Sequence, residues 1–433
     1  MTVAAAPPKS TSSDSATTLS PAASNSSEDT DEIDEADVCA PPACNVALVS
    51  QPGTRTTADF ILPVQQLGFA ASAEREMYDL DHDVAICYLG PNQLLFTFNP
   101  HLLVPRSRME IGFPKLHVVR ATLIDLPTMK VVQTVDWRIH DTQQYLWSMG
   151  RDSVLVHVGR QLRIYGSNLK VERRLVLNGP LAFVRVAPSG AYLAVGTVRE
   201  RHSEAIHREL AAAENREPEE DVEVKVLDPT FRVLASVTRS SREAPPVLSE
   251  VGEIRIPTIG KNRWRISEYT WTGQGHVLKQ VGSTCRPEVT TLPPNLLFVT
   301  GCDRLADGKW YQMLRPDGKL VLKGRSPSTE QGHTANGIVG GSLFAVGITE
   351  LAKPLNASSA FHSSDLKNLH VSVYRVENGK KATGVTVSDP LPTVQSFALS
   401  PNSRQLAILE KSQIVFYTLS AEPSNPTNTD NIP

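Results

Sequence analysis

The stretch from Val394 to Leu419 constrains the fold of this chain more than any other. It reads VQSFALSPNSRQLAILEKSQIVFYTL: an alternating segment, a turn at Pro401–Arg404, an apolar run, a second turn, and a run of β-branched and aromatic residues. Short runs of Val, Ile, Phe and Tyr between turn residues are typical of strands. The stretch therefore predicts three consecutive β-strands joined by tight turns.

The same unit occurs a second time, at Leu181–Thr197. When the two segments are aligned, Pro188 coincides with Pro401 and Val184 coincides with Phe397. Because the match covers both strands and the turn between them, we interpret it as an internal repeat. Looser units of the same kind favour seven repeats, although long loops make six or eight also compatible with the pattern. The units begin near residues 77, 143, 180, 245, 285, 333 and 391.

The repeated pattern is Pro-x-x-x-x-Leu-Ala-Val/Ile followed by a strand such as IVFYTL or QLRIY. It resembles the repeats of WD40-like and YVTN-type bacterial β-propeller proteins. No Trp-Asp dipeptide ends a unit, and the units do not regularly open with the Gly-His pair of strict WD40 repeats, so the chain resembles a divergent propeller. The resemblance implies an all-β fold, a single ring of seven blades with four antiparallel strands each around a central channel. Such rings commonly serve as binding platforms, and the fold by itself implies no reaction.

The composition divides the chain into an arm, a central domain and a tail. Residues 1–45 are rich in Ser, Thr, Ala and Pro and then in Asp and Glu, which predicts a disordered acidic arm. We expect the propeller to span residues 58–420. A segment rich in Ala, Glu and Arg predicts a helical insertion at 199–221. Residues 421–433 are expected to form a disordered tail.

The closure of the ring follows from a missing strand. The last unit supplies only three strands, and FILPV at Phe60–Val64 has no hairpin partner of its own. A propeller must pair its first and last blades or leave exposed strand edges. We therefore expect residues 58–66 to add the fourth, outermost strand to the last blade. Pro63 lacks a backbone N–H, which suits such an edge position.

The chain has five cysteines: Cys39, Cys44, Cys87, Cys285 and Cys302. The first two bracket a short segment of the arm, and the last two flank one predicted strand. Two disulfides would suit an oxidising compartment, whereas five reduced thiols would suit the cytosol. An extracytoplasmic location is favoured over a cytoplasmic one, and a bonded Cys285–Cys302 pair is expected if the protein is exported. The sequence as given shows no signal peptide.

Candidate metal ligands are few and poorly spaced. His202 and His207 lie five residues apart rather than the three or four that one helical face requires. The cluster of Asp81, His82 and Asp83 lacks the Gly and the spacing of a calcium loop. The serine-hydrolase, P-loop, dinucleotide and HExxH motifs are absent. We therefore predict no catalytic, cofactor-binding or metal-binding residue. The remaining candidates are interpreted as structural or solvated: Glu204, Glu209, the strand histidines His117 and His157, and Trp137, Trp147, Trp264, Trp271 and Trp310 in blade cores or rims, of which one or two could line a ligand groove. The N-x-S sequons at Asn25 and Asn356 matter only in a glycosylating host.

These features predict a binding protein rather than an enzyme. The net charge of −3 comes with no basic block, so we expect no nucleic-acid partner. No apolar run is long enough to predict a membrane-spanning segment. We expect a monomeric, non-catalytic binding or scaffold protein with a protein or peptide partner and no cofactor. The alternative is a propeller enzyme, hydrolase or lyase-like, with polar residues from several blades at the channel mouth. A polar cluster there would favour the enzyme, and an apolar, aromatic-lined top face would favour a protein partner.

Overall fold

The computed structural model shows a chain built almost entirely of β-strands. In the part that it describes, the chain forms 28 strands and one short 3-10 turn at Val64–Leu67. The strands form seven antiparallel sheets of four strands each, which are the blades of one ring. The predicted all-β, seven-bladed propeller is therefore confirmed. The structure describes residues 58–69, 84–100, 117–139, 144–150, 152–199, 220–241, 243–259, 263–270, 274–292, 295–302, 308–328, 332–351, 366–388, 390–391 and 396–419.

Each of the first six blades is one continuous stretch of chain whose strands run in order from the innermost to the outermost. The first strands of most neighbouring blades contact one another. Blade 1 contains β2 (Ala85–Tyr88), β3 (Gln93–Phe98), β4 (His117–Asp125) and β5 (Lys130–Ile139); blade 2 contains β6 (Leu146–Met149), β7 (Ser153–Val158), β8 (Gln161–Tyr165) and β9 (Val171–Val176); blade 3 contains β10 (Leu181–Val186), β11 (Leu193–Arg199), β12 (Asp221–Leu227) and β13 (Val233–Ser240).

The next three blades repeat this order. Blade 4 contains β14 (Val247–Leu248), β15 (Ile254–Ile259), β16 (Trp264–Tyr269) and β17 (Gly275–Val281); blade 5 contains β18 (Glu288–Leu292), β19 (Leu296–Cys302), β20 (Gly308–Leu314) and β21 (Leu320–Ser328); blade 6 contains β22 (Gly332–Gly340), β23 (Leu343–Leu351), β24 (Leu366–Arg375) and β25 (Lys381–Val387).

Blade 7 joins the two ends of the chain. Its first three strands are β26 (Phe397–Leu399), β27 (Gln405–Leu409) and β28 (Gln413–Thr418), and its outermost strand is β1 (Phe60–Pro63). β1 pairs antiparallel with β28, and the ring of Phe60 stacks on that of Phe416 with 4.2 Å between centroids. This is the pairing expected from the missing fourth strand. The strand is one residue shorter than FILPV, because the chain enters the 3-10 turn after Pro63.

The hydrophobic core lies between adjacent blades rather than in one central mass. One cluster joins blade 7 to blade 1 and contains Leu62, Phe96 and Phe416, all fully buried. Another joins blades 6 and 7 and includes Val373 and Phe397. Because both faces of a sheet are covered by its neighbours, central strands such as β3 and β27 are buried along nearly their whole length rather than at alternate residues. Each blade therefore depends on the next one for its core.

The predicted helical insertion at 199–221 lies for the most part outside the described residues. Its two ends are described, and they are strand residues: Arg199 ends β11 and Asp221 begins β12, paired with each other. The acidic arm at 1–45 and the tail at 421–433 also lie outside the described residues, so both remain predictions.

The connections between strands divide the ring into two faces. Because consecutive strands are antiparallel, the first and third turns of every blade lie on one face, which we call the short-turn face. None of these turns exceeds six residues. The second connection of each blade and the connection to the next blade lie on the opposite face, which we call the long-loop face. The four longest connections begin and end at the long-loop face: residues 64–84, 99–116, 200–220 and 352–365.

Candidate binding face

Blade 3 forms a pocket at its long-loop end. The pocket has a volume of about 300 Å³. Its floor comes from the start of β10, the end of β11 and the start of β12, and one wall comes from the connection that leads to blade 4. A cavity with an apolar floor and a few polar groups is the usual form of a ligand site. The floor residues are Leu181, Ala182, Phe183, Val198, Val222 and Val224, and Ala244, Pro245 and Pro246 belong to the wall.

The polar side of this pocket is built around Arg239, near the end of β13. Its Nε donates to Oε2 of Glu243 at 2.7 Å, and its Nη2 donates to the same oxygen. Its Nη1 is buried and has no hydrogen-bond partner among the residues that the structure describes. The side chain as a whole is 15% exposed, so the carboxylate of Glu243 compensates its charge while one donor stays unused. The pocket therefore offers an apolar surface beside a free N–H group.

The backbone at the pocket rim is fixed by hydrogen bonds between β12 and β13. The N–H of Ser241 donates to the carbonyl of Glu220 at 2.8 Å, and the N–H of Glu220 donates to Oγ of Ser241 at 3.0 Å. The N–H of Glu243 donates to the carbonyl of Ser240 at 3.0 Å. These bonds hold the pocket wall in place at the point where the connection 200–220 returns to the sheet.

A disulfide lies on the same face, in blade 5. It joins Cys285, on the connection from β17 to β18, to Cys302, the last residue of β19, with 5.5 Å between Cα atoms. Oγ of Ser283 donates to the carbonyl of Cys285 at 2.8 Å and accepts from the N–H of Cys302 at 3.0 Å. Nε1 of Trp310 donates to the carbonyl of Cys302 at 3.1 Å. The long-loop end of blade 5 is therefore covalently fixed.

The short-turn face is held by hydrogen bonds between the turns of neighbouring blades. The N–H of Ser189 in blade 3 donates to Oε2 of Glu250 in blade 4 at 3.0 Å, and the N–H of Glu250 donates to Oδ1 of Asn295 in blade 5 at 3.3 Å. In blade 6, the N–H of Ser342 donates to Oγ of Ser403 in blade 7 at 2.8 Å. The backbone N–H groups and polar side chains of these turns therefore join neighbouring blades to one another.

A buried ion pair extends this network into blade 4. Nε of Arg255 donates to Oε2 of Glu268 at 2.5 Å, and Nη1 of Arg255 donates to Oδ1 of Asn295 at 2.9 Å. The two charged residues face each other on β15 and β16, and Arg255 is 1% exposed. Sequence reasoning missed this network. Its only signal was an Arg and a Glu within strands that are otherwise largely apolar.

The innermost strands also carry a half-buried cation, Arg185. Burial lowers the pKa of Arg185 on β10, and the negative charge of Glu288 on β18 opposes this effect. Nη1 of Arg185 donates to the carbonyl of Val184 at 3.0 Å. On β2, burial raises the pKa of the Cys87 thiol to about 12, which keeps it neutral and weakly nucleophilic. Neither residue was singled out for reactivity from the sequence.

The described candidate residues named from the sequence lie in different blades and form no common site. His157 lies on β7, where its backbone N–H donates to the carbonyl of Tyr145 at 2.8 Å, and His117 begins β4. Trp137 and Trp310 are buried, and Trp147 and Trp264 pack against blade cores. The other candidates lie outside the described residues: Asn25, Cys39, Cys44, Asp81, His82, Asp83, His202, Glu204, His207, Glu209, Trp271 and Asn356.

Two kinds of site are absent from the described part of the chain. No group of three or more His, Cys, Asp or Glu side chains there could hold a metal ion. No helix in the same ranges has the length and apolar character needed to cross a membrane.

Comparison with known proteins finds similar folds but no relative in sequence. No protein-family model matches the chain, and no curated protein matches it. A chain of the mitotic checkpoint complex is 12% identical and has a TM-score of 0.45, covering 86% of this chain and 98% of that one. A streptogramin B lyase is 9% identical and has a TM-score of 0.38, covering 79% and 95%. An acylaminoacyl peptidase from Pyrococcus horikoshii is 8% identical and has a TM-score of 0.49, covering 80% and 53%.

These likenesses carry no argument about function, because the identities and the TM-scores are low. The assignment to the propeller fold rests on the seven four-stranded sheets and their ring order.

Proposed function

We propose that this chain is a non-catalytic binding or scaffold protein that holds a protein or peptide partner on its long-loop face. The ends of the long connections and the blade 3 pocket lie on this face, whereas turns of the opposite face bond to one another. Loops carried by a rigid scaffold are the usual place for recognition. These placements support a binding role on one face and a structural role on the other.

The blade 3 pocket is the observation that carries this proposal. Its floor is apolar, and Nη1 of Arg239 is a buried donor with no acceptor. A buried unpaired donor costs about 1–3 kcal/mol, and a ligand that supplies an acceptor recovers this energy. An extended peptide has both groups that the pocket needs: an apolar side chain for the floor and a backbone carbonyl for the Arg239 N–H. We therefore take a peptide segment as the ligand.

The test uses a phage-displayed random peptide library selected against the full chain. The enriched peptide is then titrated against the wild type, Leu181→Asp in the pocket floor, and Val251→Asp as a matched control. Val251 is 62% exposed and lies in a turn of the short-turn face. We expect the control to bind like the wild type. Leu181→Asp should raise Kd by about tenfold or more, because its carboxylate disfavours an apolar side chain and competes for Arg239.

Two results would contradict the proposal. One is a library that yields no peptide enriched by the wild type. The other is an enriched peptide whose affinity for Leu181→Asp equals its affinity for the wild type, since the site would then lie elsewhere.

We also propose an oxidising, extracytoplasmic location. The Cys285–Cys302 disulfide supports it, because structural disulfides persist in oxidising compartments and are rare in the cytosol. The state of these two cysteines in protein isolated from its natural source tests this location.

A further inference from the structure

The outermost strand of blade 3, β13, is an uncharged apolar edge. Val233, Leu234 and Val237 on this strand are 51%, 40% and 50% exposed. No other described outermost strand carries more than one exposed large apolar residue; Val132 on β5, Val176 on β9, Val277 on β17 and Leu320 on β21 are the single cases. Apolar surface at the rim of the ring is therefore concentrated on blade 3.

The other outermost strands contain the residues that normally protect an edge. Charged side chains and proline on an edge strand prevent pairing with another chain. β13 has no charge and no proline from Val233 to Thr238, and its single arginine, Arg239, is held by Glu243 in the pocket. The protecting residues elsewhere are Pro63 on β1, Lys130 and Arg138 on β5, Glu172, Arg173 and Arg174 on β9, Lys279 on β17, Lys323 on β21 and Lys381 on β25.

The backbone of β13 presents outward-facing hydrogen-bonding groups at the rim, at Ser236 and Thr238. Among the strands that the structure describes, β13 pairs with β12 alone. The N–H of Ser241 points towards β12, since it donates to the carbonyl of Glu220. Backbone groups alternate in direction along a strand, so those of Thr238 and Ser236 point outwards. A second strand can therefore pair with this edge without breaking any bond to β12.

We propose that β13 pairs antiparallel with β13 of a second copy of this chain, giving a two-fold symmetric dimer. In such an interface each residue meets its own counterpart or a near neighbour, so a charged strand would place like charges together. The uncharged run from Val233 to Thr238 avoids this repulsion. A two-fold axis near Ser236 places Val237 opposite Ala235 of the partner subunit. Val233 and Val237, the two exposed valines of β13, then become covered. This is the opposite of the monomer expected from the sequence.

The dimer should dissociate on dilution. Two paired strands of eight residues cover less surface than a standard stable interface. Sedimentation velocity of the full chain at low and high concentration should therefore show a monomer–dimer equilibrium. The variant Val237→Lys should raise the dimer dissociation constant about tenfold or more, because the two ammonium groups become diagonal neighbours on the same face of the paired strands.

The matched control is Val277→Lys on β17, where the valine has a similar exposure of 47%. It should leave the equilibrium unchanged. A second variant, Thr238→Pro, removes one outward N–H group from β13 and should also weaken the dimer, so the test does not depend on Val237 alone. A wild type that stays monomeric at every concentration would overturn the proposal. So would a dimer that Val237→Lys and Val277→Lys affect equally.

Discussion

Arg255 and Glu268 form the most deeply buried of the ion pairs that the structure describes. A buried ion pair contributes little to the free energy of unfolding compared with an apolar replacement, because both ions lose their hydration on folding. Breaking it by removing one partner is costly, since the other charge stays buried alone. Here the third member, Asn295, belongs to blade 5, so the pair also contributes to the contact between two blades.

We expect Glu268→Ala to lower the free energy of unfolding by about 3–5 kcal/mol, because Arg255 keeps its charge and loses its carboxylate. The double variant Arg255→Met with Glu268→Leu should cost much less. Urea unfolding measures both. Arg232→Ala is a suitable control, since it breaks an exposed pair with Asp228 and should change little. Equal losses for the single and the double variant would show that the charge of Arg255 is not the cause.

The disulfide gives a second prediction at the scale of residues. In protein isolated without reduction and then unfolded, peptide mapping with a thiol reagent should label Cys87 and leave Cys285 and Cys302 unlabelled. Replacing both bonded cysteines with serine should lower the free energy of unfolding by about 3 kcal/mol, the loop-closure value for their separation of 17 residues. Labelling of both cysteines in the unreduced protein would contradict the bond and the extracytoplasmic proposal together.

At the scale of elements, the turns of the short-turn face are fitted against one another. Gly150, in the turn of blade 2, has φ +69°, and a Cβ at this position would lie 2.6 Å from the carbonyl oxygen of Ser189 in blade 3. Both the backbone conformation and the close approach therefore require glycine. This turn sets how closely blades 2 and 3 can approach.

Gly150→Ala should lower the free energy of unfolding by at least about 1–2 kcal/mol, the cost of the left-handed conformation for a residue with a Cβ. Gly282→Ala is the matched control, because a Cβ there meets nothing within 4 Å. Thermal unfolding compares the two. If both variants melt at the same temperature, the turns are not fitted as tightly as the structure indicates.

The sequence predicted those strands whose own residues form a recognisable strand pattern. β10, β11 and β26 to β28 have alternating or β-branched runs between turn residues, and both their type and their place in the ring follow from this pattern. β14 is two residues long, and β22 reads GHTANGIVG, so neither has a recognisable pattern. They form strands because the next strand of the blade provides hydrogen-bond partners, which a local pattern does not record.

The candidate site was not predictable from the sequence for the same physical reason. The pocket collects residues from all four strands of blade 3, and the Arg255 network joins residues of two blades. Nothing in local spacing indicates that Arg239 has a buried N–H without an acceptor. The disulfide was the exception, although the sequence placed one strand between the two cysteines. The structure has two strands there, β18 and β19, and this hairpin brings Cys285 and Cys302 together at its open end.

At the scale of the whole molecule, stability depends on closing the ring. β1 covers the edge of β28, and Leu62 is fully buried in the cluster between blades 7 and 1. Deleting residues 1–66 should therefore destabilise the entire ring, whereas deleting residues 1–45 should leave the melting temperature unchanged. Calorimetry of the two truncated proteins tests this. Equal melting temperatures would show that β1 contributes nothing to stability.

The position of β1 also determines the order in which the protein is made. Blades 1 to 6 are each continuous in sequence, so the four strands of each can pair as they leave the ribosome, and each blade completes its core when the next one packs against it. Blade 7 combines a strand synthesised before all the others that the structure describes with three synthesised after them. A growing chain therefore carries Phe60–Pro63 unpaired through nearly the whole of translation. During that interval its unpaired strand edges can bind chaperones. The incomplete protein is most prone to aggregation just before its last strand emerges.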